Sequence, residues 1–189
     1  MFIQTEQTPN PATLKFLPGR MVLDAGTADF PNAQAARRSP LAERLFQVDG
    51  VGGVFLGNDF VTVTKSADRE WHVLKPALLG VIMEHFTANR PILLDDRAAG
   101  GEAAGGDVAE GEDSEIVQQI KELLETRVRP AVAQDGGDII FHSYEDGVVE
   151  LQLQGSCSGC PSSTATLKMG IENMLKHYIP EIVEVRAVM

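Results

Sequence analysis

Residues 97–113 read RAAGGEAAGGDVAEGED, a run of glycine, alanine and acid with one valine and no aromatic residue. Such a stretch cannot bury enough apolar surface to offset the entropy of ordering it, and its like charges keep it extended. With Asp95 and Asp96 added it forms an acidic, flexible linker over 95–113. It divides the 189-residue chain into a first part, 1–94, and a second part, 114–189. The expected architecture is α+β, as two small two-layer α/β-sandwich domains rather than one medium domain. A linker of this composition lets its ends separate by a few tens of ångströms (~5–6 Å × √n).

The charge follows the same division. The chain carries a net charge of -11, and eight acids against Arg97 alone lie between Asp95 and Glu115. That acidity argues against nucleic acid as a partner. The run Ala77 to Met83 is far short of the roughly 20 apolar residues a membrane-spanning helix needs, so no membrane association is expected. The first twenty residues contain Glu6, Pro9 and Pro11 and no basic residue before Lys15, unlike a secretory signal or an arginine-rich transit peptide. A bacterial cytoplasmic protein is therefore expected, with a mature mitochondrial matrix form as the alternative.

In 1–94, Phe2–Thr5 and Thr13–Leu17 read as strands around the Pro9-Asn10-Pro11 turn. Ser39-Pro40 reads as a helix cap followed by a first-turn proline, with a helix continuing to Asp49-Gly50. Val54–Leu56 and Phe60–Thr64 flank Gly57-Asn58-Asp59 as a hairpin. A second helix runs from about Leu74 to Phe86, with Pro76 placing its start in doubt. Trp71 is expected in the core, and His72 and His85 as surface or packed residues. No nucleophile–base pair or metal-ligand spacing occurs here.

In 114–189 a helix is expected from Ser114 or Glu115 to Val128, where Arg129-Pro130 ends or kinks it. Asp138–Tyr144 and Val148–Gln154 read as strands joined by Glu145-Asp146-Gly147, with Val149, Leu151 and Leu153 alternating against polar residues. A helix over Ser162–Tyr178 follows, Tyr178 on its inward stripe and Gly170 at a point of close packing. Ile182–Val188 reads as the final strand.

Between strand and helix lies Gly155-Ser156-Cys157-Ser158-Gly159-Cys160-Pro161, which holds both cysteines of the chain. Two cysteines with no secretion signal suit a reduced, chemical pair rather than a disulfide scaffold. C-x-x-C spacing lets both sulfurs turn to one side, and the start of the following helix is expected to make an electropositive seat that favours thiolates. Zinc or an iron–sulfur cluster wants four ligands, and one chain supplies two. His142, mid-strand, and His177, at the far end of the helix, are too distant to complete the set. The economical completion is a two-fold dimer contributing Cys157 and Cys160 twice. A dithiol oxidoreductase and a zinc-clasped structural dimer stay open as alternatives. Against the first, Ser156 stands before Cys157, where thioredoxin-like proteins usually have tryptophan.

GSCSGCPSSTATLKMGIENMLKHYIP (155–180) and VRPAVAQDGGDI (128–139) resemble the C-terminal domain of the NifU/Nfu family of iron–sulfur cluster carriers. FIQTEQTPNPATLKFLPG (2–19), RRSPLAERLF (37–46) and WHVLKPALLGVIMEHF (71–86) resemble the N-terminal domain of Nfu proteins. The resemblance covers nearly the whole chain apart from the linker. It implies a non-catalytic carrier that binds a [4Fe–4S] cluster between two subunits, with [2Fe–2S] as the alternative, and hands it to client apoproteins. The implied ligands are Cys157 and Cys160. The implied clients are aconitase-type and lipoate-synthesis enzymes and respiratory complexes, with an upstream cluster-assembly scaffold as the source. The N-terminal domain is implied to serve client or partner contacts.

Overall fold

A computed structural model describes residues 2–94, 112–158 and 161–188. The linker residues 95–111 and Cys160, both singled out above, lie outside the described residues. The chain forms two compact units, Met1–Gly101 and Glu102–Met189.

The first unit is built on a sheet in the order β1-β2-β5-β4-β3, comprising Gln4–Gln7, Thr13–Leu17, Val61–Lys65, Val51–Leu56 and Ala28–Phe30, every neighbour antiparallel. Alternation puts Leu14, Phe16, Val54, Leu56, Val61 and Val63 on one face, where they meet Leu41 and Leu45 of α1 (Pro40–Phe46) and Leu74, Leu78 and Ile82 of α2 (Trp71–Thr87). All of these are buried, each contributing about 1.5–3 kcal/mol of apolar transfer.

Ser39 caps α1 as its sequence suggests, its hydroxyl accepting from the Ala42 N–H at 3.1 Å and donating to the Ile92 carbonyl at 2.6 Å. The helix stops at Phe46, short of Asp49-Gly50. Helix α2 begins at Trp71, earlier than expected, because Pro76 sits inside it without ending it. Trp71 is half-buried at the rim, its indole N–H donating to the Pro11 carbonyl at 3.0 Å, so it is not a core residue. His85 is fully buried. Strand β1 starts two residues later than the sequence suggests, and β3 and the 3-10 turn Ala35–Arg38 carry no periodic signal.

The second unit has a three-stranded sheet in the order β6-β7-β8: Gly137–Glu145, Val148–Gly155 and Glu184–Val188. Strands β6 and β7 form a hairpin over Asp146-Gly147, both at positive φ (48° and 78°), the conformation a tight two-residue turn requires. Helix α5 (Pro161–Tyr178) then crosses over so that β8 pairs parallel to β7. Ile139, Val149, Leu151 and Val185 of the sheet pack with Ile171 and Leu175 of α5.

Two expectations for this unit are corrected and a third is narrowed. Of the end or kink expected at Arg129-Pro130, the helix does not end there. Helix α3 (Glu112–Leu123) passes through a wide π turn, Leu124–Val128, into α4 (Arg129–Gln134). Pro130 has no N–H to give the preceding turn, and the chain widens there instead of stopping. Gly170 is exposed and a β-carbon there would meet nothing within 4 Å, so close packing is not its reason. Tyr178 is 47% exposed, with the Arg127 guanidinium 5.3 Å from its ring, rather than part of the inward stripe. No helix of the described residues is long and apolar enough to cross a membrane.

Candidate functional site

Two segments far apart in sequence build the loop that carries Cys157. The first is the turn Asp135-Gly136 that leads from α4 into β6, with Gly136 at φ 80°. The second is the end of β7, where Gly155 pairs with Gly137 and turns out of the sheet at φ 65°. The Ser156 N–H donates to the Gly136 carbonyl at 3.2 Å, and the Ser156 hydroxyl donates to the Asp135 carbonyl. Ser158 closes the loop on itself, its N–H and hydroxyl both donating to the Gly155 carbonyl, at 3.1 and 2.9 Å. From α5, the Thr164 hydroxyl donates to the Cys157 carbonyl at 3.1 Å.

Cys157 is a free thiol, 7% exposed. Its Sγ lies against Gly137, where a β-carbon would come within 2.7 Å of the sulfur, 2.7 Å of the Gln154 carbonyl oxygen and 3.1 Å of the Cys157 nitrogen. Any larger residue at 137 would occupy the space the sulfur now fills. Burial pushes the thiol up to about 11, with a bond from Ser156 opposing it and the nearby Asp135 and Asp138 adding to it. The expected electropositive seat is therefore corrected for Cys157. Its sulfur is tucked towards the acidic β6 turn and removed from water, so the unloaded protein favours the thiol over the thiolate.

Beside that turn, Asp138 is 3% exposed. Its carboxylate accepts from Arg129 through both oxygens, at 2.9 Å (Nε) and 2.8 Å (Nη2), and from the Ile139 N–H at 2.8 Å. Arg129 also pairs with Glu125, and the two acids raise its pKa above the ordinary arginine value, Asp138 foremost. The wide turn delivers this guanidinium to the end of β6. Arg129, Gly137 and Asp138 were not read as site residues from the sequence. A signal existed in Gly137, since a glycine beginning a strand marks a close approach of other atoms. His142 and His177, rejected as ligands, are both exposed. Among the described residues no three or more His, Cys, Asp or Glu side chains converge on a metal position.

Known proteins resemble this chain along nearly all its length. Residues 3–89 match the family described as "Scaffold protein Nfu/NifU N terminal", and residues 120–186 match the "NifU-like domain". "NFU1 iron-sulfur cluster scaffold homolog, mitochondrial" of Homo sapiens is 52% identical over 190 residues, covering 100% of this chain and 72% of its own. The Drosophila erecta protein of the same name is 54% identical over 189 residues, with 100% and 65% covered. "NifU-like protein 4, mitochondrial" of Arabidopsis thaliana is 53% identical over 184 residues, with 96% and 64% covered. The chain thus spans slightly under two thirds of the Arabidopsis relative's length. All three are named mitochondrial, which overturns the cytoplasmic placement expected from the sequence.

Proposed function

The chain belongs to the Nfu family of iron–sulfur cluster scaffold proteins, and on that premise we propose that it carries a [4Fe–4S] cluster on Cys157 and Cys160 and hands it to client apoproteins. In this reading, as in the names of its relatives, the setting is mitochondrial.

The observation that carries the reading is the ligand count. The only cysteines of the chain stand three residues apart within its NifU-like domain. A cluster needs four thiolates, so two chains meet on it and the loaded form is a homodimer. Each chain then holds the cargo by two bonds only, and client thiolates displace them one at a time. An upstream assembly scaffold supplies the cluster. Aconitase-type and lipoate-synthesis enzymes and respiratory complexes receive it. Residues 114–189 form the cluster-binding domain and 95–113 the linker. Residues 1–94, which hold no cysteine, serve client contacts.

The thiol's state counts against the dithiol-oxidoreductase alternative. A cysteine pushed up to about 11 is mostly protonated near neutral pH and attacks disulfides slowly. Metal binding removes the proton, which makes cluster affinity rise with pH instead.

The test is transfer. Protein loaded anaerobically and added to an aconitase-type apoprotein with a chelator present should restore the client's activity faster than free iron and sulfide do. A loaded protein that retains its metal in the presence of excess apoprotein would point to a structural clasp.

A further inference from the structure

Cys157 is held in a position that hides it, and the holding residues are identifiable. The Sγ occupies the space left by the missing Gly137 side chain, and the loop is tied down one residue earlier by the two bonds from Ser156 to Asp135 and Gly136. At 7% exposure the thiol cannot reach a ligand shared with a second chain unless it leaves this space.

We infer that Gly137 and Ser156 are positioning residues that stow the Cys157 thiol in the unloaded protein and release it as cargo arrives. Gly137 provides the space and Ser156 the tether. Both act through Cys157, and neither touches the cargo. The inference rests on the reading of Cys157 as a cluster ligand. It adds that the unloaded loop shields one of its two sulfurs from solvent and stray metal.

The test is the alkylation rate of Cys157 by iodoacetamide in the full-length, metal-free, reduced protein. Peptide mass spectrometry follows that rate, with Cys160 in the same sample as internal reference. The folded protein should label Cys157 on the order of tenfold or more slowly than the same protein in guanidinium, because labelling waits on local opening. Ser156→Ala should accelerate Cys157 about 2- to 10-fold, the factor one hydrogen bond contributes, with Cys160 unchanged.

Gly137→Ala should accelerate Cys157 further by evicting the sulfur. Its β-carbon also meets the Gln154 carbonyl, so its fold is checked by circular dichroism, and Ser156→Ala decides the matter if it misfolds. Labelling of the wild type at the unfolded rate, or no acceleration in folded Ser156→Ala, overturns the stow. Reconstitution with iron and sulfide separates the two claims. Slow labelling with no cluster bound leaves the stow standing and removes the carrier, and fast labelling with a cluster does the reverse.

Discussion

The two units use burial for different ends. The first closes its five-stranded sheet with α1 and α2 over a core of Phe, Leu, Val and Ile, and its buried polar groups serve the fold. Ser39 caps α1 and reaches Ile92, and the His85 Nε2–H donates to the Pro91 carbonyl at 3.1 Å. In the second unit Asp138, Ser156 and Cys157 are all nearly inaccessible and gather at one end of the β6–β7 hairpin. The lesson is that a core can be a scaffold or a holder. At this end of the hairpin polar and sulfur atoms are buried together, and under the proposed function the loop they hold is the one that takes the cargo.

The largest effect should come from the proposed ligands. Cys157→Ala or Cys160→Ala should abolish cluster absorbance and the cluster-linked dimer altogether, with both units still folded by circular dichroism. A fully occupied cluster in either variant would erase the distinction between the units.

Next come two substitutions of similar size and opposite location. Leu78→Ala in the first unit should cost about 2–5 kcal/mol by leaving a cavity in its core. Urea unfolding of that unit should report the loss while cluster loading is unchanged. Arg129→Ala should cost about 3 kcal/mol in the second unit by leaving the Asp138 carboxylate buried without its partner. Here loading should fall as well, because the loop that carries Cys157 is tied to the turn beside Asp138 and loses its order with it. Loading that fell with Leu78→Ala and not with Arg129→Ala would break the comparison.

The smallest effect is one of pH. Burial holds the His85 imidazole below its ordinary value of 6.5, with Arg44 and Arg90 adding to the effect and the Pro91 bond opposing it. The unfolded chain takes up the proton first as pH falls. The first unit should therefore keep full stability above pH 6.5 and lose up to about 1.4 kcal/mol per pH unit below it, until the native imidazole itself protonates. Urea midpoints at pH 7.5 and 5.5 measure this, and His85→Gln should flatten the dependence.

Apart from β3 and the 3-10 turn, the regular elements of both units were legible because their signals are local. The Ser39-Pro40 cap, the Asp146-Gly147 turn and the alternation of Val149, Leu151 and Leu153 each describe a few neighbouring residues. The C-x-x-C pair was legible for the same reason. Its surroundings were not, since Gly137 and Cys157 are 20 residues apart and meet only when β6 pairs with β7. Arg129 meets Asp138 from a helix that widens before Pro130, where the sequence suggests a stop or a kink. The thiol's state was misjudged through the same gap. Proximity to a helix start argued for a thiolate, but the direction of the sulfur, towards Gly137 and two aspartates, is a tertiary fact.

The most direct test of the carrier account is anaerobic reconstitution with iron and sulfide. Metal and sulfide per chain, mass in solution and Mössbauer spectra would be measured on the same sample. The account predicts two irons and two sulfides per chain in a dimer, about the content of one shared [4Fe–4S] cluster, with the spectrum of that cluster type rather than of two [2Fe–2S] clusters. A monomer that stays metal-free or takes up only zinc would contradict it.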